Sequence, residues 1–259
     1  MQNEAPKGHI AISVEDGVGT LSFFHPAQNA LPGALLTELC HAIERLGKDE
    51  AVRVILLKSE GDRTFCAGAS FGELIALEEM HRSVEFFSGF AHLINAMRKC
   101  PKFILGRVQG KAVGGGVGLA AATDYCLATR DAAIKLSELA VGIGPFVVGP
   151  AVERKIGTSA MSQLAIDARS WRSAEWAMQK GLYAAVYDSI PEMDAALASL
   201  AEQLAASNPE AMQALKQVFW EGTDHWDELL PQRAAVSGHL ALSGFTKSAI
   251  AAFKNSPKT

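Results

Sequence analysis

The chain has 259 residues, 49% hydrophobic and 20% charged, which is enough apolar material for a full core in one large domain or one with an appendage. Its 24 Lys and Arg against 28 Asp and Glu give a formal charge of -4, and no basic run is long enough to track a phosphate backbone, which argues against nucleic acid as a partner. A polar start and the lack of any apolar stretch near about 18 residues argue against secretion and membrane insertion, and Cys40, Cys66, Cys100 and Cys126 match no zinc or redox spacing, as expected of reduced thiols in the cytoplasm.

Residues 10–14 and 19–23, joined through Glu15, Asp16, Gly17 and Val18, alternate in polarity and predict a β-hairpin. After Pro32, the spacing of Leu35, Leu36, Leu39, Ala42, Ile43 and Leu46 predicts a helix packed on that sheet. A strand at 52–58 and a short extended piece at 65–69 follow, the latter opening a bend at Gly68-Ala69. Helical periodicity then runs over 71–99, with Gly89 the only strong breaker and Pro101 the stop, which predicts two helices or one bent one. Strand 103–108 feeds a glycine-rich stretch; short extended runs at 125–128 and 133–136 lead to Glu138 and a constrained loop rich in Gly and Pro. Helices begin at 151, interrupted near Gly157 and Gly181, and 184–187 is the last strand. From residue 191 onward the pattern is helix only: 193–206, 209–220, 227–242 and 246–254. The rhythm of strand, strand, helix before that point is compatible with a stack of βα units, giving an α/β core over 1–190 and a helical region over 191–259.

Over residues 114–122 the side chains are reduced to Gly, Ala, Val and Leu where a helix begins. Glycines let backbone N–H groups approach a ligand, and the free N–H groups of a helix start favour negative charge; a tight turn against a sheet is the plainer explanation. Four motif readings compete with a backbone site. Gly116-Val117-Gly118-Leu119-Ala120-Ala121 fits a relaxed dinucleotide pattern but does not start directly from the strand at 103–108. Gly68-Ala69-Ser70-Phe71-Gly72 matches a nucleophile elbow, with Asp188, Asp224, His225 and His239 downstream as candidate partners, although Ser70 also suits a helix N-cap. Gly110-Lys111 lacks the Ser or Thr of a phosphate loop, and neither His81 nor His92 has a second histidine at i, i+4, so no metal site is expected. What remains is a glycine bend around Gly68-Ala69, a glycine-rich helix start around Gly115, and one carboxylate, Glu138. That set could hold an oxygen gathering negative charge while the carboxylate moves a proton; an exposed or salt-bridged Glu138 is the bland alternative.

Three stretches, Cys66-Ala67-Gly68-Ala69, 110–124 and Ser137-Glu138-Leu139-Ala140-Val141-Gly142, together with Asn29-Ala30-Leu31 and the ending Ala252-Phe253-Lys254, resemble the crotonase superfamily, also called the enoyl-CoA hydratase/isomerase family. The resemblance implies a spiral of ββα units whose final helices build trimers or hexamers. It implies a CoA thioester substrate, no cofactor beyond that CoA, an oxyanion hole from the Ala69 and Gly115 N–H groups, and Glu138 as general acid/base. Ala67 and Gly68 would line the adenine side, Gly114 would belong to the substrate-binding bend, and Lys254 would reach a CoA phosphate. Gly118 departs from the pattern, because two-carboxylate hydratases of the family carry glutamate there. Ser70, where many members have Asp, is a milder departure, and Phe146 stands where dienoyl-CoA isomerases place a second acid. Phe71, Phe146 and Trp171 are candidates for an acyl pocket or for plain core. The segment 137–157 is similar to methylglutaconyl-CoA hydratase-like members, some of which also carry glycine at the first site. The expectation is therefore hydration of a 2-enoyl-CoA; the alternatives are a one-carboxylate isomerase, a serine hydrolase using Ser70, and a silent CoA-binding module.

Overall fold

A computed structural model gives the fold of residues 8–255, the last three as helix backbone alone. Asp16 and Gly17 both take positive φ (47° and 82°), the backbone a two-residue hairpin turn needs, and join β1 (His9–Glu15) to β2 (Val18–Phe24). Helix α1 (Gly33–Lys48) and β3 (Val54–Ser59) follow, and from there the chain repeats one step: a strand in a large sheet, a short strand in a small sheet, then helix. The first step is β3, β4 (Thr64–Cys66), α2 (Phe71–Ile75) and α3 (Met80–Lys99). The second is β5 (Ile104–Val108), β6 (Lys111–Val113) and α4 (Gly115–Ala122). The third is β7 (Tyr125–Thr129), β8 (Ile134–Lys135), a 3-10 turn (Glu138–Val141), α5 (Gly149–Ile166) and α6 (Ala174–Gln179), before β9 (Ala185–Tyr187). The large sheet runs β1-β2-β3-β5-β7-β9, parallel except for the first hairpin, and the small one runs β4-β6-β8, all parallel. This is the spiral of ββα units that the resemblance implied. Helices α7 (Ile190–Ala205), α8 (Pro209–Phe219), α9 (Trp226–Ala241) and α10 (Gly244–Asn255) complete it.

Both faces of the large sheet are covered at its central strands β3, β5 and β7, which are accordingly mostly apolar. Ile55, Leu57, Ile104, Cys126 and Ala128 face α1 and α3 through Leu35, Leu39, Ile43, Leu93 and Met97. The intervening Val54, Leu105 and Leu127 face the other way, onto Met193, Leu197 and Ala201 of α7 and Met212 of α8.

Two expectations change. The break in 71–99 falls at residues 76–79 and not at Gly89, which lies inside α3 where an added Cβ would meet Leu36 Cδ1 at 2.8 Å; the glycine allows α1 and α3 to approach. The residues leading into the glycine run are themselves a strand, β6, too short to show alternation on its own.

The helical region is tied to the sheet by a buried charge. Asp124, between α4 and β7, accepts from the Ile104 N–H (2.7 Å) and the Trp220 indole (2.9 Å) and pairs with Lys216 of α8 at 2.8 Å, both side chains 3% exposed. Lys216 also donates to the Lys102 carbonyl (2.8 Å), and Lys155 of α5 to the Asp124 carbonyl (3.0 Å). Removing one partner of such a pair strands the other in the interior. Asp124→Ala is expected to lower stability by about 3 to 5 kcal/mol in urea unfolding. A loss under about 1 kcal/mol would mean that the network is ornamental.

Candidate active site

The bend at 67–70 is held from outside by the segment before α1. Leu31 N–H donates to the Gly68 carbonyl (2.8 Å), Ser70 N–H to the Leu31 carbonyl (3.2 Å) and Ala67 N–H to the Gln28 carbonyl (3.1 Å). Buried Asn29 fixes that segment, its amide donating to the Glu60 and Thr64 carbonyls at 2.9 Å each and accepting from His25 N–H at 3.0 Å. Because the bridge uses Gly68 O and Ser70 N–H, the Ala69 N–H between them points away from Leu31. Gly68 has φ 87°, and a Cβ there would meet the Val113 carbonyl at 2.8 Å and the Gly115 nitrogen at 3.2 Å. The two bends are therefore in contact, and the missing side chain is the condition for it.

Across that contact, Gly114 (φ 52°, ψ -115°) caps α4, its N–H donating to the Lys135 carbonyl (2.9 Å) and its carbonyl accepting from Val117 and Gly118. Gly115 opens the helix, where the first N–H groups have no intrahelical acceptor. A Cβ on Gly116 would fall 2.3 Å from the Cys66 carbonyl, so α4 lies directly on the end of β4.

The third part comes from the 3-10 turn that follows β8. Glu138 is half-buried as a residue, yet its carboxyl end is enclosed: a Cβ on Gly114 would lie 2.9 Å from Oε1, and Oε2 is buried with no hydrogen-bond partner. Burial pushes its pKa up to about 7. The turn ends on Gly142 (φ 83°), where α10 packs; Thr246 Oγ1 donates to the Gly142 carbonyl at 3.2 Å. The structure thus brings Gly68, Ala69, Gly114, Gly115 and Glu138 together, with Ala67 at the edge of the bend. Lys254 lies in α10, but its side chain falls outside the described residues.

Two neighbours carried no signal in the sequence. Phe90 of α3 presses its ring against Gly115, where a Cβ would meet Cζ at 2.3 Å, and so forms an apolar wall beside the free N–H. Val148, at the start of α5, fills the space beside Gly118, where a Cβ would meet Val148 Cβ and Cγ1 at 2.5 Å. Position 118 is one helical turn from the Gly114 that touches Glu138. A second acid is not merely missing there; its place is taken.

The serine hydrolase alternative loses its nucleophile. Ser70 caps α2, accepting from Glu73 N–H at 3.3 Å, and among the described residues none of its candidate partners hydrogen-bonds to it. Asp188 pairs with Arg130, and Asp224 faces Arg98. No group of metal-ligating side chains occurs among the described residues, and His81 sits beside Glu79. Trp171 stands on the small sheet against Lys111 and Lys135.

Two stability measurements follow from this packing. The folded Glu138 carboxyl holds its proton more tightly than the unfolded one, so its full contribution is present below about pH 4.5 and is lost as pH rises through about 7. Glu138→Gln should therefore be more stable than the parent at pH 8, by up to about 3 kcal/mol, with the gain vanishing near pH 4; a Gln variant destabilised at both pH values would contradict the cost assigned to the buried carboxylate. Gly118→Ala should cost about 1 to 3 kcal/mol through overpacking, and Val148→Ala in the same chain should recover most of it, read by thermal unfolding of the four variants in the cycle.

A family model described as enoyl-CoA hydratase/isomerase matches residues 13–250. A probable enoyl-CoA hydratase of Bacillus subtilis (strain 168) is 29% identical over 212 residues, covering 82% of this chain and 81% of that one. The mitochondrial methylglutaconyl-CoA hydratase of Mus musculus is 33% identical over 203 residues, covering 76% of this chain and 63% of that one. The crystal structure of an enoyl-CoA hydratase from Bacillus halodurans superposes with a TM-score of 0.87 at 20% identity, over 94% of this chain and 99% of that one. Fold, glycine bends and sequence likeness agree, and the chain belongs to the enoyl-CoA hydratase/isomerase family.

Proposed function

We propose that the protein adds water to a 2-enoyl-CoA through a thioester enolate, with Glu138 as its single acid/base. The observation that carries this is the Glu138 carboxyl, enclosed and with one oxygen unpartnered, lying against the Gly114-Gly115 start of α4. The thioester oxygen would be held by the Ala69 and Gly115 N–H groups, each donor worth about 3 to 4 kcal/mol when aimed at a developing oxyanion. Water oxygen bonds to C3 as its proton passes to Glu138; the C2–C3 π pair moves to the carbonyl oxygen as the enolate forms. Its return to C2 takes the proton back from Glu138, and the balance is one water added. The chemistry calls for no cofactor beyond the CoA carried by the substrate.

One observation favours a second reading, isomerisation of a 3-enoyl-CoA. Val148 leaves no room for an acid at position 118, and a lone carboxylate that removes a proton at C2 and returns it at C4 needs none. In either reading Ala67 and Gly68 border the adenine side and Lys254 a CoA phosphate. The final helices would assemble trimers or hexamers, and the location would be cytoplasmic, in keeping with four unpaired cysteines and with no membrane-crossing helix among the described residues.

Purified protein given 2-enoyl-CoA and 3-enoyl-CoA thioesters, branched and carboxylated chains included, tests the reading by mass and ultraviolet absorbance. A gain of one water with loss of enoyl absorbance is the expected result. Unchanged mass with new conjugation selects the isomerase, and CoA binding without turnover of any thioester selects the silent module. Glu138→Gln should lower kcat by about 10²- to 10⁴-fold while leaving CoA binding within a few-fold. Because the reaction starts from the carboxylate, kcat/KM should climb with pH and level off above about 7; a profile flat from pH 5 to 9 would remove Glu138 from the role.

A further inference from the structure

The small sheet has an inner and an outer face. Phe65, Ala112 and Ile134 point inward and are fully buried, so Thr64, Lys111, Val113 and Lys135, one position removed on each strand, point outward. No strand follows β8 in that sheet, but Arg172 bridges Ile134 in antiparallel fashion, which sets Trp171 opposite Lys135 on the same outer face. There the Lys135 ammonium lies 4.5 Å and the Lys111 ammonium 5.2 Å from the centre of the Trp171 ring.

Two cations on one ring repel each other, and among the described residues no carboxylate pairs with either. Burial first, and then the Lys111 charge, pull the Lys135 pKa down. Lys111 and Trp171 line a cleft of about 820 Å³, a volume suited to a nucleotide-sized ligand. Ala67 and Val113 line it too, and they immediately precede Gly68-Ala69 and Gly114-Gly115, so the cleft begins where the candidate active site ends. Gln109, also in the lining, donates through Nε2 to Ser59 (2.9 Å) and Thr64 (3.3 Å) and keeps a buried Oε1 without a donor. The acids of the cleft, Asp62 and Asp131, belong to the turns that lead into β4 and β8, and Asp188 is taken by Arg130.

We propose that the outer face of the small sheet is a phosphoryl-binding site, in which Lys111 and Lys135, braced on Trp171, hold a phosphate or diphosphate group. The shared chemistry has two sources: the nucleotide end of the thioester substrate, continuing past Ala67 and Val113, or a free phosphoanion. Only the first rests on the acyl-CoA reading above.

The test uses the full chain with Lys111→Ala, Lys135→Ala, the double variant and the double Arg replacement. Calorimetry reads the binding of CoA, adenosine 3′,5′-bisphosphate and inorganic pyrophosphate; kinetics compare an enoyl-CoA with the matching enoyl-pantetheine. Binding of the phosphorylated probes should fall by at least about 10-fold in the double Ala variant and return with Arg. A KM rise of the same size for the CoA substrate, with the pantetheine thioester unmoved, assigns the site to the substrate's nucleotide. Weakened pyrophosphate binding with an unmoved CoA KM supports a free phosphoanion. If the double Ala variant binds all three probes as the parent does, the proposal is overturned; if it also loses oligomer mass in light scattering, the face is a contact between copies. Because calorimetry needs no turnover, failure of the enoyl-CoA reaction leaves this result readable.

Discussion

The site depends on one steric fact: two chain segments about forty-five residues apart meet backbone to backbone. A Cβ at Gly68 would collide with the Val113 carbonyl, and one at Gly116 with the Cys66 carbonyl. Only with those side chains missing can the Gly68-Ala69 bend lie against the Gly114-Gly115 start of α4. Everything else around the site serves that approach. The Gln28–Leu31 segment, anchored by buried Asn29, holds one bend from behind, and β6 delivers the other with Gly114 hydrogen-bonded to β8. Hydrogen bonds to the backbone of a bend fix it more tightly than side-chain packing would, because they set its φ and ψ directly.

Glu138 has the opposite character. A carboxylate with an unpartnered oxygen is a cost to the fold, and the acid/base role we propose for Glu138 accounts for its being kept. The enclosure of the carboxyl raises its pKa, and on the same helix start Phe90 stands against Gly115 and Val148 against Gly118. The Gly118–Val148 contact makes the solitude of Glu138 a property of the packing and not of one residue: the glycine and the valine fit only each other.

The helical region is not a loose addition. Asp124 sits at the end of α4, and its ties to Ile104, Trp220 and Lys216 bind the glycine helix, the central strands and α8 into one unit. At the other side α10 closes on the turn that carries Glu138 through Thr246 and Gly142. The two ends of the site are thereby referred to helices that lie outside the spiral.

Much of this was legible in the residues themselves. Residues 15–18, with Asp16 and Gly17 at positive φ, determined the first turn and the leucine spacing determined α1, since each of these is a preference of a short segment for its own conformation. The glycine bends and Glu138 were also visible, as a stripped backbone and an acid after a short strand, whereas the departure at Gly118 showed only through the resemblance to the family. The tertiary structure alone decided that Phe90 stands against Gly115, that Val148 occupies the space beside Gly118, that Gln28–Leu31 splints the 67–70 bend, and that Trp171 joins two lysines. It also moved the helix break from Gly89 to residues 76–79, since the glycine serves contact with Leu36. These are approaches between residues far apart in the chain, and nothing in the local preference of either partner encodes which residue it will meet.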